Sequence, residues 1–233
     1  MCPFMKTTSV SKAGPRRQSL NPGRIFEAAV GLADDIGVDA LTIRKLAHAL
    51  DAKPMTIYHY VPNKEAIIDG MVDRVFSEID LPQTDIDWKI SIRQRSASAR
   101  SVLAKHSWAI PLMESRRTPG ASTLCQHDAI IGCLRKGGLS VEMTAHAYAV
   151  IDAFIYGFAM QEAGLPATSG SEIAELAESI IAATAMNEYP HLMELTTQHV
   201  LQAGYDFAKE FDFGLNLILD GLESASNLKP RRE

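Results

Sequence analysis

At 233 residues with 46% hydrophobic content, the chain is long enough for a small domain plus one of ordinary size, each with its own core, and global disorder is excluded. Its net charge of −5, taken as a whole, argues against a polyanionic partner. The sum hides a polarity: residues 1–64 carry nine Lys/Arg against five Asp/Glu, net +4, and residues 65–233 carry fourteen against twenty-three, net −9, so a basic head precedes an acidic body.

The first twenty residues hold Lys6, Lys12, Arg16 and Arg17 among Pro, Ser and Thr and read as a flexible basic tail. They lack the continuous apolar run of a secretory signal. No later stretch reaches the roughly 18 apolar residues of a membrane helix, since even Ala145 to Met160 carries His146, Tyr148, Asp152 and Tyr156. A soluble, cytoplasmic chain without a membrane partner is expected. Cys125 and Cys133 stand eight apart in one predicted helix, about 12 Å, too far to bridge, and read as free buried thiols, with a redox-sensing pair across a dimer axis as the alternative.

Helix signals recur throughout without a convincing two-residue alternation, so the fold class is all-α. Asn21 and Pro22 open a first helix with Ile25, Phe26, Ala29, Leu32 and Ala33 at three- and four-residue steps, ended by Gly37. Thr42 caps a second, shorter helix with Ile43, Leu46, Ala47 and Leu50 on its apolar face. A turn falls at Asp51 and Ala52, because Pro54 cannot continue that helix yet suits the first turn of a new one. This third helix ends before Pro62, and Asn63 caps a fourth running through Ile67, Met71, Val75 and Phe76. Two short helices joined by a tight turn are the helix-turn-helix arrangement, whose second helix enters the major groove. Its exposed positions offer Lys53, Thr56, Tyr58, His59 and Tyr60 to phosphates or base edges.

The segments Leu41-Thr42-Ile43-Arg44-Lys45-Leu46-Ala47, Ile57-Tyr58-His59-Tyr60-Val61 and Asn63-Lys64 resemble the DNA-binding domain of the tetracycline-repressor family. His106-Ser107-Trp108, Gly137-Gly138-Leu139-Ser140, Tyr156-Gly157-Phe158 and Phe211-Asp212-Phe213-Gly214-Leu215 resemble the C-terminal domain of the tetracycline-repressor class. The resemblance implies a three-helix DNA-binding domain over residues 21–80 and a larger helical ligand-binding and dimerisation domain over 81–233. It implies Arg44, Pro54, Met55 and Tyr58 at base edges, with Thr42, Thr56, Tyr60 and Lys64 on phosphates. Asp51 departs from the family, which favours Gly there for a left-handed backbone; Asp tolerates that conformation better than most residues, so the turn is expected to survive.

Downstream, helices are expected from Asp87, from Trp108 to Ser115, from Gly120 to Lys136, from Ser140 to Gly164, from Gly170 to Glu188, and from about Gln198 to Leu222. The Ser140 helix is apolar on more than one face, and the last repeats Phe207, Phe211, Phe213, Leu215, Leu217, Leu219 and Leu222; the resemblance implies that these two pair with a second copy in a four-helix bundle. Polar residues inside apolar helices, Arg95, Arg116, His146, Tyr148, Asp152 and Tyr156, point to a ligand pocket or to satisfied core groups. With Met113 added from the family comparison, the candidate ligand-binding set is Arg95, Met113, Arg116, Tyr148 and Asp152. The positions that hold magnesium-tetracycline in the family correspond by spacing to Asp80, Arg95, Met113 and Gln161. Met113 is a poor ligand for a hard cation, so a magnesium-tetracycline receptor is not expected.

Catalysis is not expected, because Cys125 and His127 of Cys125-Gln126-His127-Asp128 point to different sides of a helix. No metal-ligand spacing occurs and no cofactor is implied. The reading is a homodimeric repressor on a palindromic duplex operator, released by a small-molecule inducer of unknown identity. A ligand-independent protein that organises chromosomes is the alternative.

Overall fold

The structure, a computed structural model, describes residues 19–166, 170–183 and 188–227. The flexible tail expected over residues 1–20 lies outside the described residues as far as residue 18. Among the described residues every regular element is helical. In order these are α1 (Pro22–Ile36), α2 (Ile43–Ala49), α3 (Pro54–Tyr58), α4 (Lys64–Phe76), α5 (Trp88–Lys105), a 3-10 segment (Ser107–Leu112), α6 (Ala121–Lys136), α7 (Val141–Gly164), α8 (Gly170–Ala183), α9 (Pro190–Leu195), a π-helical turn (Thr196–Val200) and α10 (Ala208–Asn227).

The helix starts obey local capping chemistry. The side chains of Asn21, Thr42, Asn63 and Ser140 each accept a hydrogen bond from the N–H three residues on, at 3.0, 3.2, 2.8 and 3.0 Å, and Asp87 accepts from Lys89 and Ile90. Between α2 and α3 the N–H of Asp51 donates to His48 and that of Ala52 to Ala47, closing the helix end by a Schellman turn. Asp51 has φ 48° and is, among the described residues, the sole non-glycine at positive φ, as the family comparison led one to expect.

Packing divides the chain into two compact units, Met1–Leu139 and Ser140–Glu233. The division falls later than residue 80 because α6 and the 3-10 segment pack with α4, and α5 packs with both of them. In the first unit Ile25, Ala29, Ala33, Leu46, Ala47, Ile57, Ile67 and Met71 form one buried cluster, covered by Phe26 and Trp108 among others. The α1 and α4 helices meet so closely that a Cβ on Gly70 would lie 2.4 Å from the Phe26 ring.

In the second unit α7 packs on α10 through stacked rings, with Phe154 and Phe211 centroids 5.4 Å apart and Phe158 and Phe207 4.9 Å apart. Phe211, Leu215, Leu219 and Leu222 face inward, while Phe213 and Leu217 remain 70% and 65% exposed.

Two expectations need correction. The final helix does not run unbroken from Gln198: the π-helical turn and Gly204 at φ 85° interrupt it, and α10 begins afresh at Ala208, whose N–H donates to Asp206. The helix expected from Gly170 to Glu188 is present as far as Ala183, and residues 184–187 lie outside the described residues. Cys133 is a free, buried thiol whose pKa burial pushes up, but Cys125 is half-buried and disulfide-bonded; the spacing argument excludes only a bridge between these two.

Candidate nucleic-acid interface

The α3 helix is five residues long and holds itself to the protein through one side chain. Ile57 is fully buried, and Val61 just beyond it nearly so; Pro54, Met55, Tyr58, His59 and Tyr60 are exposed and Thr56 half-buried. A methionine 68% exposed beside tyrosines 37% and 45% exposed gains nothing from burial here, which makes the surface one for contact with something outside the chain. Pro54 starts the helix without needing an N–H partner, and Lys53 before it is extended.

Of the other expected DNA contacts, Thr42, Arg44 and Lys64 are all exposed. Thr42, Tyr58 and Lys64 border one recess of about 220 Å³, floored by Leu41, Leu46 and Ile67. Thr42 opens α2 and Lys64 opens α4, so each stands at a helix N-terminus, where backbone N–H groups and the helix dipole favour an anion. The hydroxyl oxygen of Thr42 accepts from Lys45 while its proton remains to be donated. Thr42, Tyr58 and Lys64 thus share one recess, and Arg44, Pro54, Met55, Thr56 and Tyr60 lie on α2, on α3 or just beyond it.

Behind this face, α4 is held on two sides by polar ties. Arg116 reaches Asp69 at 2.7 Å and Glu65 at 2.6 Å, which raises the guanidinium pKa further. Thr123 donates to Asp73 through its N–H at 2.8 Å and its hydroxyl at 3.0 Å, and Gln126 Nε2 donates to the carbonyls of Ile79 and Phe76 at 2.5 and 3.3 Å. A Cβ on Gly120 would lie 2.2 Å from the Asp73 carboxyl carbon, so a larger residue there must displace the carboxylate that Thr123 holds.

On the other side the ring of His106, 1% exposed, stands between Asp34 of α1 at 2.7 Å and Glu78 at 3.2 Å. Trp108 Nε1 donates to the same Asp34 oxygen, and Lys105 Nζ donates to Glu78. Burial alone would raise the Glu78 pKa, but hydrogen bonds from Lys105 and His106 outweigh it and hold the carboxyl below its ordinary range. Sequence reasoning missed these ties. His106 and Trp108 were visible only as part of a family segment, and nothing local to Gly120 or Gln126 marks their partners.

The candidate ligand residues divide between the units. Arg95 on α5 and Met113 after the 3-10 segment are buried in the first unit; Met113 and the ion-paired Arg116 border a recess of about 140 Å³ with Asp69 and His127. In the second unit Tyr148 is half-buried and Asp152 buried, four residues apart on one face of α7. His146 is exposed and leaves the pocket reading, since its position on the helix turns it away from the buried Ala147 and Ile151.

Comparison with known proteins yields two family matches. Residues 25–71 match "Bacterial regulatory proteins, tetR family" and residues 81–226 match "Tetracyclin repressor-like, C-terminal domain". The chain is 30% identical over 224 residues to the HTH-type transcriptional repressor DrrR1 of Streptomyces coeruleorubidus, covering 90% of this chain and 79% of that protein. It is 27% identical over 206 residues to the tetracycline repressor protein class A from transposon 1721 of Escherichia coli, covering 87% and 90%. Among solved structures, the Streptomyces coelicolor TetR family protein ActR in complex with actinorhodin superposes with a TM-score of 0.73 at 24% identity, covering 90% of this chain and all of that one.

Proposed function

The chain belongs to the tetR family of bacterial regulatory proteins, and from that membership we propose that it is a ligand-responsive transcriptional repressor of the cytoplasm. A homodimer would hold a palindromic duplex operator and be released from it by a small-molecule inducer. Residues 21–80 read DNA, with Arg44, Pro54, Met55 and Tyr58 on bases and Thr42, Thr56, Tyr60 and Lys64 on phosphates; residues 81–233 bind the inducer and dimerise. The observation that carries this reading is the exposed α3, attached by Ile57 alone while Met55, Tyr58 and Tyr60 face solvent.

The outer apolar face of α7 and α10, with Val150, Met160, Phe213 and Leu217 46–70% exposed, supports self-association through those helices. ActR, of the same fold, was solved with actinorhodin. A ligand that prefers the DNA-incompetent arrangement would weaken operator binding by roughly 5- to 150-fold.

Selection of bound duplexes from a random library tests the proposal: enrichment of one inverted repeat with half-sites about one DNA turn apart supports it, and recovery of no palindrome would refute it. A thermal-shift screen of metabolites and antibiotics separates the inducible repressor from a ligand-independent organiser of DNA, since a ligand at a hundred times its Kd adds about 2.7 kcal/mol of stability. Magnesium-tetracycline is expected to give no micromolar binding heat, because buried Met113 offers a thioether where the cation needs oxygen.

A further inference from the structure

We propose that His106 is a positioning residue for the DNA-binding head: as an imidazolium it ties Asp34 of α1 to Glu78 beyond α4, and duplex affinity falls when that proton leaves. The inference rests on the operator binding proposed above and begins from what the buried ring faces. Its Nδ1 lies 2.7 Å from Asp34 Oδ1 and its Nε2 lies 3.2 Å from Glu78 Oε2. Near neutral pH a carboxylate is ionised and only accepts hydrogen bonds, while a neutral imidazole has one N–H and one lone pair. A neutral ring therefore serves one of the two carboxylates and turns its lone pair on the other. Both contacts are hydrogen bonds at once when both nitrogens carry protons.

Each element packed around the ring adds a group to this triad. Lys105, at the end of α5, donates to the same Glu78 oxygen at 2.9 Å, and Arg74 of α4 comes within 4.0 Å of the other Glu78 oxygen. Trp108 Nε1, from the 3-10 segment, donates to the same Asp34 oxygen. The contact to Glu78 is the longer of the two and Glu78 has two other cations beside it, so the lone pair of a neutral ring falls to Glu78 and that link is the one lost. Imidazole changes charge between about pH 5 and 8. The other ties on α4, from Arg116 to Glu65 and Asp69, from Thr123 to Asp73 and from Gln126 to the carbonyls of Phe76 and Ile79, keep their protonation across that range.

The place of the link makes its proton matter to DNA. The α1 and α4 helices touch midway along α4, where Phe26 lies against Gly70, and His106 joins them again at their C-terminal ends. Two attachments fix the angle between the helices. With the first alone, α4 can rock about Gly70, since the apolar contacts of Ile25, Ala29, Ile67 and Met71 around it have no directional preference. Rocking about the middle of a helix carries a displacement of its end to its start, where the short turn through Asn63 leads back to α3. A recognition helix with wider angular freedom must surrender that freedom on binding, which lowers affinity.

The test measures binding to the selected operator from about pH 6 to about pH 8, at fixed ionic strength, for the full-length wild type, H106Q and E78Q. His48 and His59, exposed on the head, titrate alike in all three, so the differences between the profiles are read. Wild type is expected to bind about fivefold or more tighter than H106Q at the acid end and to fall to the H106Q value at the alkaline end. E78Q is expected to do the opposite and keep the tighter value throughout, because a side-chain amide there donates to the lone pair of a neutral ring while Lys105, 63% exposed, turns to solvent. Parallel profiles for wild type and H106Q overturn the proposal, as does an E78Q chain that loses affinity with pH as the wild type does. If H106Q does not fold, the E78Q profile decides alone. A wild-type chain that binds no duplex at any pH sinks the operator reading itself and this proposal with it.

Discussion

Asp51 accepts a left-handed backbone at φ 48° so that α2 can close by a Schellman turn and α3 can begin two residues later. An L-residue held there costs about 1–2 kcal/mol, less for Asp than for bulkier side chains. Asp51→Gly is expected to raise stability by about 1 kcal/mol and Asp51→Val to lower it, both read from urea denaturation midpoints. Glu78 makes a different demand. Its depressed carboxyl pKa contributes stability fully above the unfolded value of 4.5, and that contribution is lost as pH falls through the lower folded value. Thermal melts of wild type and Glu78→Gln should therefore differ near neutrality and converge in acid; a gap that persists at low pH would count against the assignment. The caps at Asn21, Thr42, Asn63 and Ser140 were legible because an N-cap and its N–H partner are three residues apart. His106 with Asp34, 72 residues away, was not, because no periodicity encodes a long-range polar pair.

At the scale of the element, α3 is too short to be stable alone and exists because its one buried side chain, Ile57, joins the core cluster and the helix packs on α2. Lys64 at the start of α4 and Tyr58 on α3 border the same recess but play separable parts. Lys64→Ala should weaken binding to all duplexes alike and reduce the salt slope by about one, whereas Tyr58→Ala should change sequence preference; parallel effects on a panel of operator variants would contradict that division. The boundaries of α1, α4 and α7 follow from caps and apolar spacing. The break before α10 escaped notice because Gly204 sits in a stretch whose apolar residues continue on both sides, and a π-helical turn leaves no mark on a 3.6-residue period.

For the whole molecule, the inward and outward apolar faces of α10 have different fates. Phe211 and Leu215 complete the packing on α7, while Phe213 and Leu217 stand exposed on a single chain. Phe213→Glu with Leu217→Glu should turn the proposed homodimer into a monomer by light scattering, with helicity by circular dichroism retained; a dimer that survives both charges would place the interface elsewhere. The all-α class and the exposure of Met55, Tyr58 and Tyr60 could be read from the sequence, since both depend on local pattern. The arrangement of the ligand residues could not, because a pocket gathers side chains from helices far apart in sequence. The attachment of α3 through Ile57 alone also bears on descent. Descendants of this chain are free to exchange Met55, Tyr58 or Tyr60 with little penalty to folding, so under the proposed function new target promoters can be acquired by a few point changes while the rest of the protein is inherited intact.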